Sequence, residues 1–380
     1  MELEASKQAA LQACIDTDGN RTLPPFVYHD EMVADLEQKQ LFNNDWFGIG
    51  RTDRWPHVGD FSEFSIGDVP VVVVREATGP GGLRALSNVC LHRSMLLTQG
   101  SGNTSRLRCP FHAWTYELDG RLAAAPEMHR TAGFVKSDYY LRSFAVEERA
   151  GFVFMSFDDD PQPLEQWLHG FDDLHAPWPL GELVTTRRRE FAVACNWKLF
   201  AEVFNEYYHL PYVHETSLEG YYNDPDDPED VAGSFATQFG ETNGTPAILA
   251  GASNTALPHM PGLSGRPRQG VRYTWLYPNV IVAIGVEVVW MYEVYPDGPD
   301  RCQIAQVVCF PPETIAADNF EARVPEYYKR FDVAIAEDIP VLEAQQRGML
   351  SPFAEQGPIS RLEPVVGKFA NWYATRLLEP

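Results

Sequence analysis

The chain has 380 residues, 44 % hydrophobic and 22 % charged, with a formal net charge of −23 at pH 7. This is an ordinary globular composition, long enough for roughly two domains of ~100–200 residues. The acidic balance argues against nucleic acid and anionic membranes as partners, and is compatible with a cationic small molecule or a basic protein.

Residues 1–44 read as a helical, partly polar segment expected to pack on the C-terminal domain. From about Trp46 the pattern changes to short strands: the β-branched run Val71 to Val74, then 83–89, 113–118 and 151–157, with Asp119-Gly120 as a hairpin turn. Residues 45–160 therefore read as a small all-β domain, closed by Asp158-Asp159-Asp160-Pro161. Residues 161–380 change grammar. A strand is expected over 185–195 and helical spacing over 196–208, followed by an acidic, proline-broken loop at 223–230 and a Gly/Ser/Pro-rich stretch at 243–270. Strands follow at 273–277, 280–295 with a turn near Gly285, and 302–310. A long amphipathic helix over roughly 313–347 and a last one over 361–377 complete an α+β domain, an antiparallel sheet with helices on one face.

Two short motifs fall inside the β domain. Cys90-Leu91-His92 and Cys109-Pro110-Phe111-His112 each carry one thiol and one imidazole. That is the ligand set of a Rieske [2Fe–2S] cluster, in which two thiolates hold one iron and two histidines the other. Neutral imidazole raises the reduction potential, so such a cluster passes single electrons. A single zinc held by the same four residues is the alternative reading, although structural zinc sites more often pair Cys-x-x-Cys with a later pair of histidines. Gly100, Gly102 and Asn103 are expected to form a flexible turn between the two loops, and Pro110 to fix the second. Of six cysteines, the other four (Cys14, Cys195, Cys302 and Cys309) have no framework spacing and are expected to be reduced and interior. No run of ~18 apolar residues and no leader pattern is present, so a soluble, cytoplasmic protein with no membrane partner is expected.

A second constellation follows Asn196-Trp197-Lys198. Glu206 and His209 are spaced to share a helical face. His209 and His214 are five apart, and Pro211 between them is expected to break the helix near Leu210 and let His214 return beside His209. Two histidines and a distant carboxylate would make the facial triad that leaves open positions on Fe(II). The late helix offers Asp332, Glu337 and Asp338. Asp338 is preferred because it opens Asp338-Ile339-Pro340, where Pro340 should mark a helix start or kink. Asp332, six residues earlier, lies about 240° away round the helix.

Through these residues the chain resembles the catalytic (α) subunit of the Rieske non-heme iron oxygenases over about residues 45–377. The resemblance implies a helix-grip catalytic domain, a [2Fe–2S] cluster on Cys90, His92, Cys109 and His112, and mononuclear Fe(II) on His209, His214 and Asp338. It also implies a ring of subunits, commonly a homotrimer, in which the cluster of one subunit feeds the iron of its neighbour. Glu206 would be the bridging acid between the neighbour's His112 and its own His209. Electrons would come from an NAD(P)H-dependent reductase, with or without a ferredoxin, and O2 would be the co-substrate of a mono- or dioxygenation.

Glutamate at position 206 where most of the family has aspartate, and the short chain, resemble the branch acting on carnitine, choline and betaines. Val203 departs from that branch, which has asparagine there. Leu210-Pro211-Tyr212-Val213-His214 resembles instead the aromatic O-demethylases and ring-hydroxylating dioxygenases. The expectation is hydroxylation or N-dealkylation of a small quaternary ammonium compound, with an aromatic substrate as the alternative. A Rieske electron carrier without oxygenase activity is the rival from another class. Tyr208, Tyr212, Tyr222 and Trp290 are the substrate-pocket candidates, since a quaternary ammonium needs aromatic faces or a carboxylate.

Overall fold

The computed structural model describes residues 3–218 and 220–379; Met1, Glu2, Glu219 and Pro380, at the ends and inside the expected segments, lie outside the described residues. The chain forms two compact units, one from residues 42–162 and one from 1–41 together with 163–380.

The first unit is all β. Its main sheet contains β1 (Phe47–Arg51), β2 (Asp60–Ile66), β3 (Val69–Arg75), β4 (Leu83–Ser87), β5 (Ser101–Asn103), β9 (Ser143–Arg149) and β10 (Phe152–Ser156), in the order β1-β10-β9-β4-β3-β2-β5. A smaller sheet joins β6 (Leu107–Arg108), β7 (Thr115–Tyr116) and β8 (Leu122–Ala124). Val72, Val74 and Leu86 from the first sheet pack with Leu107, Tyr116 and Leu122 from the second. Cys90, Cys109 and Trp114 share that core, so the loops carrying the two motifs are rooted in it. The turn expected at Gly100, Gly102 and Asn103 is instead largely strand β5, which pairs with Asp60 to Ser62. The partner edge of β2 supplies ladder bonds that outweigh the local preference of glycine for turns.

The second unit is built on a six-stranded antiparallel sheet. Its strands are β11 (Val184–Val193), β12 (Phe235–Glu241), β13 (Gly270–Leu276), β14 (Val280–Ile284), β15 (Val289–Pro296) and β16 (Cys302–Phe310), in the order β11-β16-β15-β14-β13-β12. β12 falls between the two stretches expected to be loop. FATQFG is buried on both faces, so it shows no polar alternation. The helices include α1 (Ala5–Asp16), α2 (Glu31–Glu37), α3 (Trp197–Phe204), α4 (Leu210–Val213), α5 (Phe320–Met349) and α6 (Pro364–Leu378). In α5 the buried residues Phe320, Val324, Tyr327, Phe331, Ile335, Asp338, Leu342 and Gln346 recur every three or four positions. This stripe lies on the sheet, with Phe331 stacked on Trp290 and Tyr327 edge-on to Phe310. Asp338 is thus held on the core side of a helix that runs unbroken through Pro340.

Asn196-Trp197-Lys198 proves to be an anchor. Asn196 caps α3 by accepting from the Lys198 amide. Lys198 and Trp197 both reach Glu37 on α2, at 2.5 and 3.0 Å, and the Tyr373 hydroxyl of α6 donates to the same carboxylate. Burial pulls the Lys198 ammonium below its ordinary pKa, and Glu37 pulls it back. Breaking such a buried pair leaves one charge uncompensated, which costs about 3–5 kcal/mol, far more than losing an exposed pair. Lys198→Met is therefore expected to lower stability by about that amount, and Lys198→Met with Glu37→Gln by less. Thermal and urea unfolding of both variants, followed by far-UV dichroism, checks the order; equal losses contradict it.

Candidate metal centres and the pocket beside them

The two cysteine–histidine loops are built alike. The Cys90 amide donates to the Met95 carbonyl and the Ser94 amide to the Cys90 carbonyl, at 2.8 and 3.0 Å. In the second loop the Cys109 amide donates to Trp114 and Ala113 to Cys109, at 2.8 and 3.1 Å. Ser94 and Ala113 occupy the same place and both have left-handed backbones, with φ of 55° and 58°. Each loop thereby turns its thiol inward and its imidazole outward. The rings of His92 and His112 lie 4.7 Å apart, and His92 stacks on Trp114. The Tyr116 hydroxyl accepts from the Leu91 amide and lies 3.4 Å from the Cys90 sulfur. Burial pushes the Cys90 thiol up, Tyr116 opposing it. Two buried thiols beside each other and two imidazoles beside each other suit a cluster whose irons take different ligands. All six cysteines are free thiols, so no disulfide braces these loops.

The second constellation arises where α3 stops. The helix ends at Phe204, so Glu206 and His209 lie in a bend and do not share a helical face as expected. Pro211, expected to end a helix, opens the short α4, where its missing N–H is no loss. Glu206 organises the bend by accepting from the amides of Tyr208 and His209 and from His209 Nδ1, the last at 2.5 Å. On the other side of α4, Glu337 accepts from His214 Nδ1 at 2.7 Å and from the Ser217 hydroxyl at 2.6 Å. With both Nδ1 atoms engaged, both imidazoles present Nε2 to a common centre. His209, His214 and Asp338 offer three ligand atoms within 4.8 Å of one another.

Asp338 completes that centre. Its Oδ1 lies 3.1 Å from His214 Nε2 and 3.8 Å from His209 Nε2, yet neither contact is directed as a hydrogen bond, and this buried oxygen has no other partner. A buried carboxylate oxygen without a donor is costly unless a cation sits against it. The arrangement fits a divalent iron with two imidazoles and one carboxylate. For His209, burial alone would pull the pKa down; Glu206 and Asp338 outweigh it and hold it above the ordinary value. Asp332 points elsewhere, paired with Arg187 and Arg189. Sequence reasoning offered Glu337 only as a possible ligand. Its role behind His214 depends on α4 folding back, which no local pattern reveals.

Beside the three ligand atoms lies a narrow cavity of about 40 Å³, opening toward an outer one of about 400 Å³. Phe204, Tyr207, Tyr222, Tyr273, Trp290 and Tyr292 line the inner cavity. Tyr222 and Trp290, both expected in the pocket, line this cavity. Tyr208 and Tyr212 do not: they are 49 % and 74 % exposed and line neither cavity. The physical reason is the bend at Glu206 and the short α4, which turn Tyr207 inward and those two rings outward. Arg330 also lines the inner cavity, one turn before Ala334 and two before Asp338. A row at i, i+4 and i+8 ending on a candidate ligand was the signal in the sequence for it.

Comparison with known proteins agrees with both halves of this picture. Residues 180–379 match the ring hydroxylating alpha subunit (catalytic domain), and residues 45–144 match the Rieske [2Fe-2S] domain. The chain is 30 % identical to the glycine betaine monooxygenase oxygenase subunit of Chromohalobacter salexigens, over 99 % of this chain and 90 % of that one. In fold it resembles a quaternary ammonium Rieske monooxygenase whose structure was described in connection with carnitine oxidation and inter-subunit electron transfer. That match has a TM-score of 0.79 at 23 % identity, covering 96 % of this chain and 97 % of the other. It also resembles naphthalene 1,2-dioxygenase from Rhodococcus sp., with a TM-score of 0.77 at 20 % identity over 99 % of both chains.

Replacing Glu337 by Gln should leave the histidine in place but weaken its hold on metal. Iron affinity at the mononuclear site is expected to fall about 10–100-fold, while the visible spectrum of the cluster stays unchanged. Iron titration of the variant with that spectrum as internal control measures this; unaltered affinity contradicts the role given to Glu337.

Proposed function

Because this chain belongs to the ring-hydroxylating α-subunit family and is the terminal component of a Rieske oxygenase, we propose that it oxidises a small quaternary ammonium compound. The reading is carried by one observation: two imidazoles and an unpartnered buried carboxylate converge at the wall of a cavity lined by aromatic faces. The likeness to the glycine betaine enzyme supports the substrate class. When bound, the cluster and the mononuclear iron supply single electrons and activation of O2. The chain's part is to hold the metals, orient the substrate and time electron delivery.

Cys90, His92, Cys109 and His112 hold the cluster; His209, His214 and Asp338 hold the iron. Phe204 and Tyr292 line the inner cavity and offer aromatic surface to an ammonium group, and cation–π attraction is strongest where water is excluded. Hydroxylation of an N-methyl carbon takes one oxygen atom from O2, and the other leaves as water with two electrons and two protons. The resulting hydroxymethyl ammonium loses its hydroxyl proton and breaks its C–N bond to give a tertiary amine, formaldehyde and one proton. The electrons come from an NAD(P)H-dependent reductase, directly or through a ferredoxin, in the cytoplasm.

Glu206 has the second task. It already holds His209, and in a homotrimer it would also meet the partner subunit's His112, joining that cluster to this iron. The exposure of His112 at the tip of its loop and the inter-subunit transfer described for the relative support this assembly.

Two measurements test the reading. Supplied with a reductase, the enzyme should consume O2 and NAD(P)H in step with formaldehyde when given a trimethylammonium substrate; turnover only with aromatic hydrocarbons or acids contradicts it. Glu206→Gln keeps the acceptor for the bend amides but removes the charge. It should retain both metal centres and slow reoxidation of the reduced cluster by O2 and substrate about tenfold or more. Reoxidation at the wild-type rate would remove Glu206 from the path.

A further inference from the structure

The inner cavity holds a buried cation that the proposed chemistry has not used. Arg330 is 4 % exposed. Its Nε donates to the Pro246 carbonyl at 2.7 Å and its Nη2 to the Tyr222 hydroxyl at 3.0 Å. A guanidinium carries five N–H donors and keeps its charge. Among the described residues no carboxylate pairs with it, whereas even the less buried Arg188 is matched by Glu293 at 2.9 Å. Arg330 packs on Trp290, 5.3 Å from the ring centroid, and this fixes the plane of its fork. The Tyr222 hydroxyl continues to the Tyr273 hydroxyl at 2.9 Å, so donors and acceptors line one wall in a row.

A buried, fixed cation with free donors and no counter-ion is expensive for the fold alone. It is repaid when a ligand brings the anion. We propose that Arg330 is the specificity-determining residue of the substrate site, and that the substrate carries a carboxylate held by Arg330 with the Tyr222 and Tyr273 hydroxyls. Arginine matches a carboxylate through two parallel hydrogen bonds, which fixes orientation as well as affinity. The acid end is thereby held two helical turns from Asp338, and the opposite end of the molecule is directed to the metal ligands. Combined with the quaternary ammonium reading, on which this part rests, the substrate is a zwitterion, a betaine and not an amino alcohol. A simple cation such as choline would meet Arg330 as like charge.

Binding tests this apart from turnover. Affinities of glycine betaine, γ-butyrobetaine, choline and benzoate for the metal-loaded enzyme, held anaerobically, are measured by calorimetry for wild type, Arg330→Gln and Arg330→Lys. Wild type should bind at least one betaine about tenfold or more tighter than choline. Arg330→Gln should abolish that preference and Arg330→Lys restore part of it, with the cluster spectrum and melting temperature reporting that each variant is folded. If Arg330→Gln is unfolded, Tyr222→Phe, which removes one hydroxyl, should still lower betaine affinity and leave choline unaffected. Betaine affinity that survives Arg330→Gln, or choline bound as tightly as the betaines by wild type, overturns the role of Arg330. Benzoate bound in an Arg330-dependent way with no betaine bound keeps the carboxylate site and sinks the quaternary ammonium reading. No binding of any of the four to wild type sinks both.

Discussion

Three polar atoms crowded into one buried spot impose the constraint around which the catalytic unit is arranged. Asp338 Oδ1 lies within 4 Å of two imidazole nitrogens, with no hydrogen bond to satisfy it. In a medium of low dielectric such an oxygen needs a cation, so the site couples folding to metal. The surrounding carboxylates have a different task. Glu206 and Glu337 each occupy the Nδ1 of one histidine, which sets the tautomer and leaves Nε2 for the centre. Placing three acids and two histidines this close is tolerable only because each acid has its own partner or awaits one.

The scaffold explains how short segments can hold such a site. α5 is long and lies with its apolar stripe on the sheet, so Asp338 inherits the rigidity of stacked Phe331 and Trp290. The bend from Glu206 to His214 follows directly on α3. That helix is fixed at its first turn by Asn196, Trp197 and Lys198, the last two held by Glu37. A buried lysine–glutamate pair adds little net stability relative to an apolar pair. Here it fixes which residues of the N-terminal segment meet α3, and Tyr373 adds α6 to the same knot.

Much of this was legible in the sequence where the chemistry is local. The two cluster loops could be read because each pair of ligands lies within four residues and the loops repeat one backbone pattern. Asp338 could be preferred over Asp332 because helical phase separates them, and the structure turns them to opposite tasks. Legibility failed where tertiary contacts overrode local preference. Gly102 became strand because β2 offered an edge. β12 was invisible because both of its faces are buried. The run 196–208 has helical spacing throughout, yet the helix ends at Phe204 and Glu206 instead accepts from the amides of the bend that follows. That single bend sends Tyr207 in and Tyr208, expected at the pocket, out. Arg330 was passed over because a charge on an amphipathic helix is ordinarily solvated, and only burial without a counter-ion sets it apart.

The central claim is that one chain carries two unlike iron centres, an electron carrier and a site that it feeds. Iron and acid-labile sulfide per chain, determined for wild type and His209→Ala, address it most directly. Wild type should hold about three irons and two sulfides, falling to about two irons and two sulfides in the variant with the Rieske spectrum intact. Two irons per chain in both proteins would contradict it and leave a cluster with no second metal to reduce.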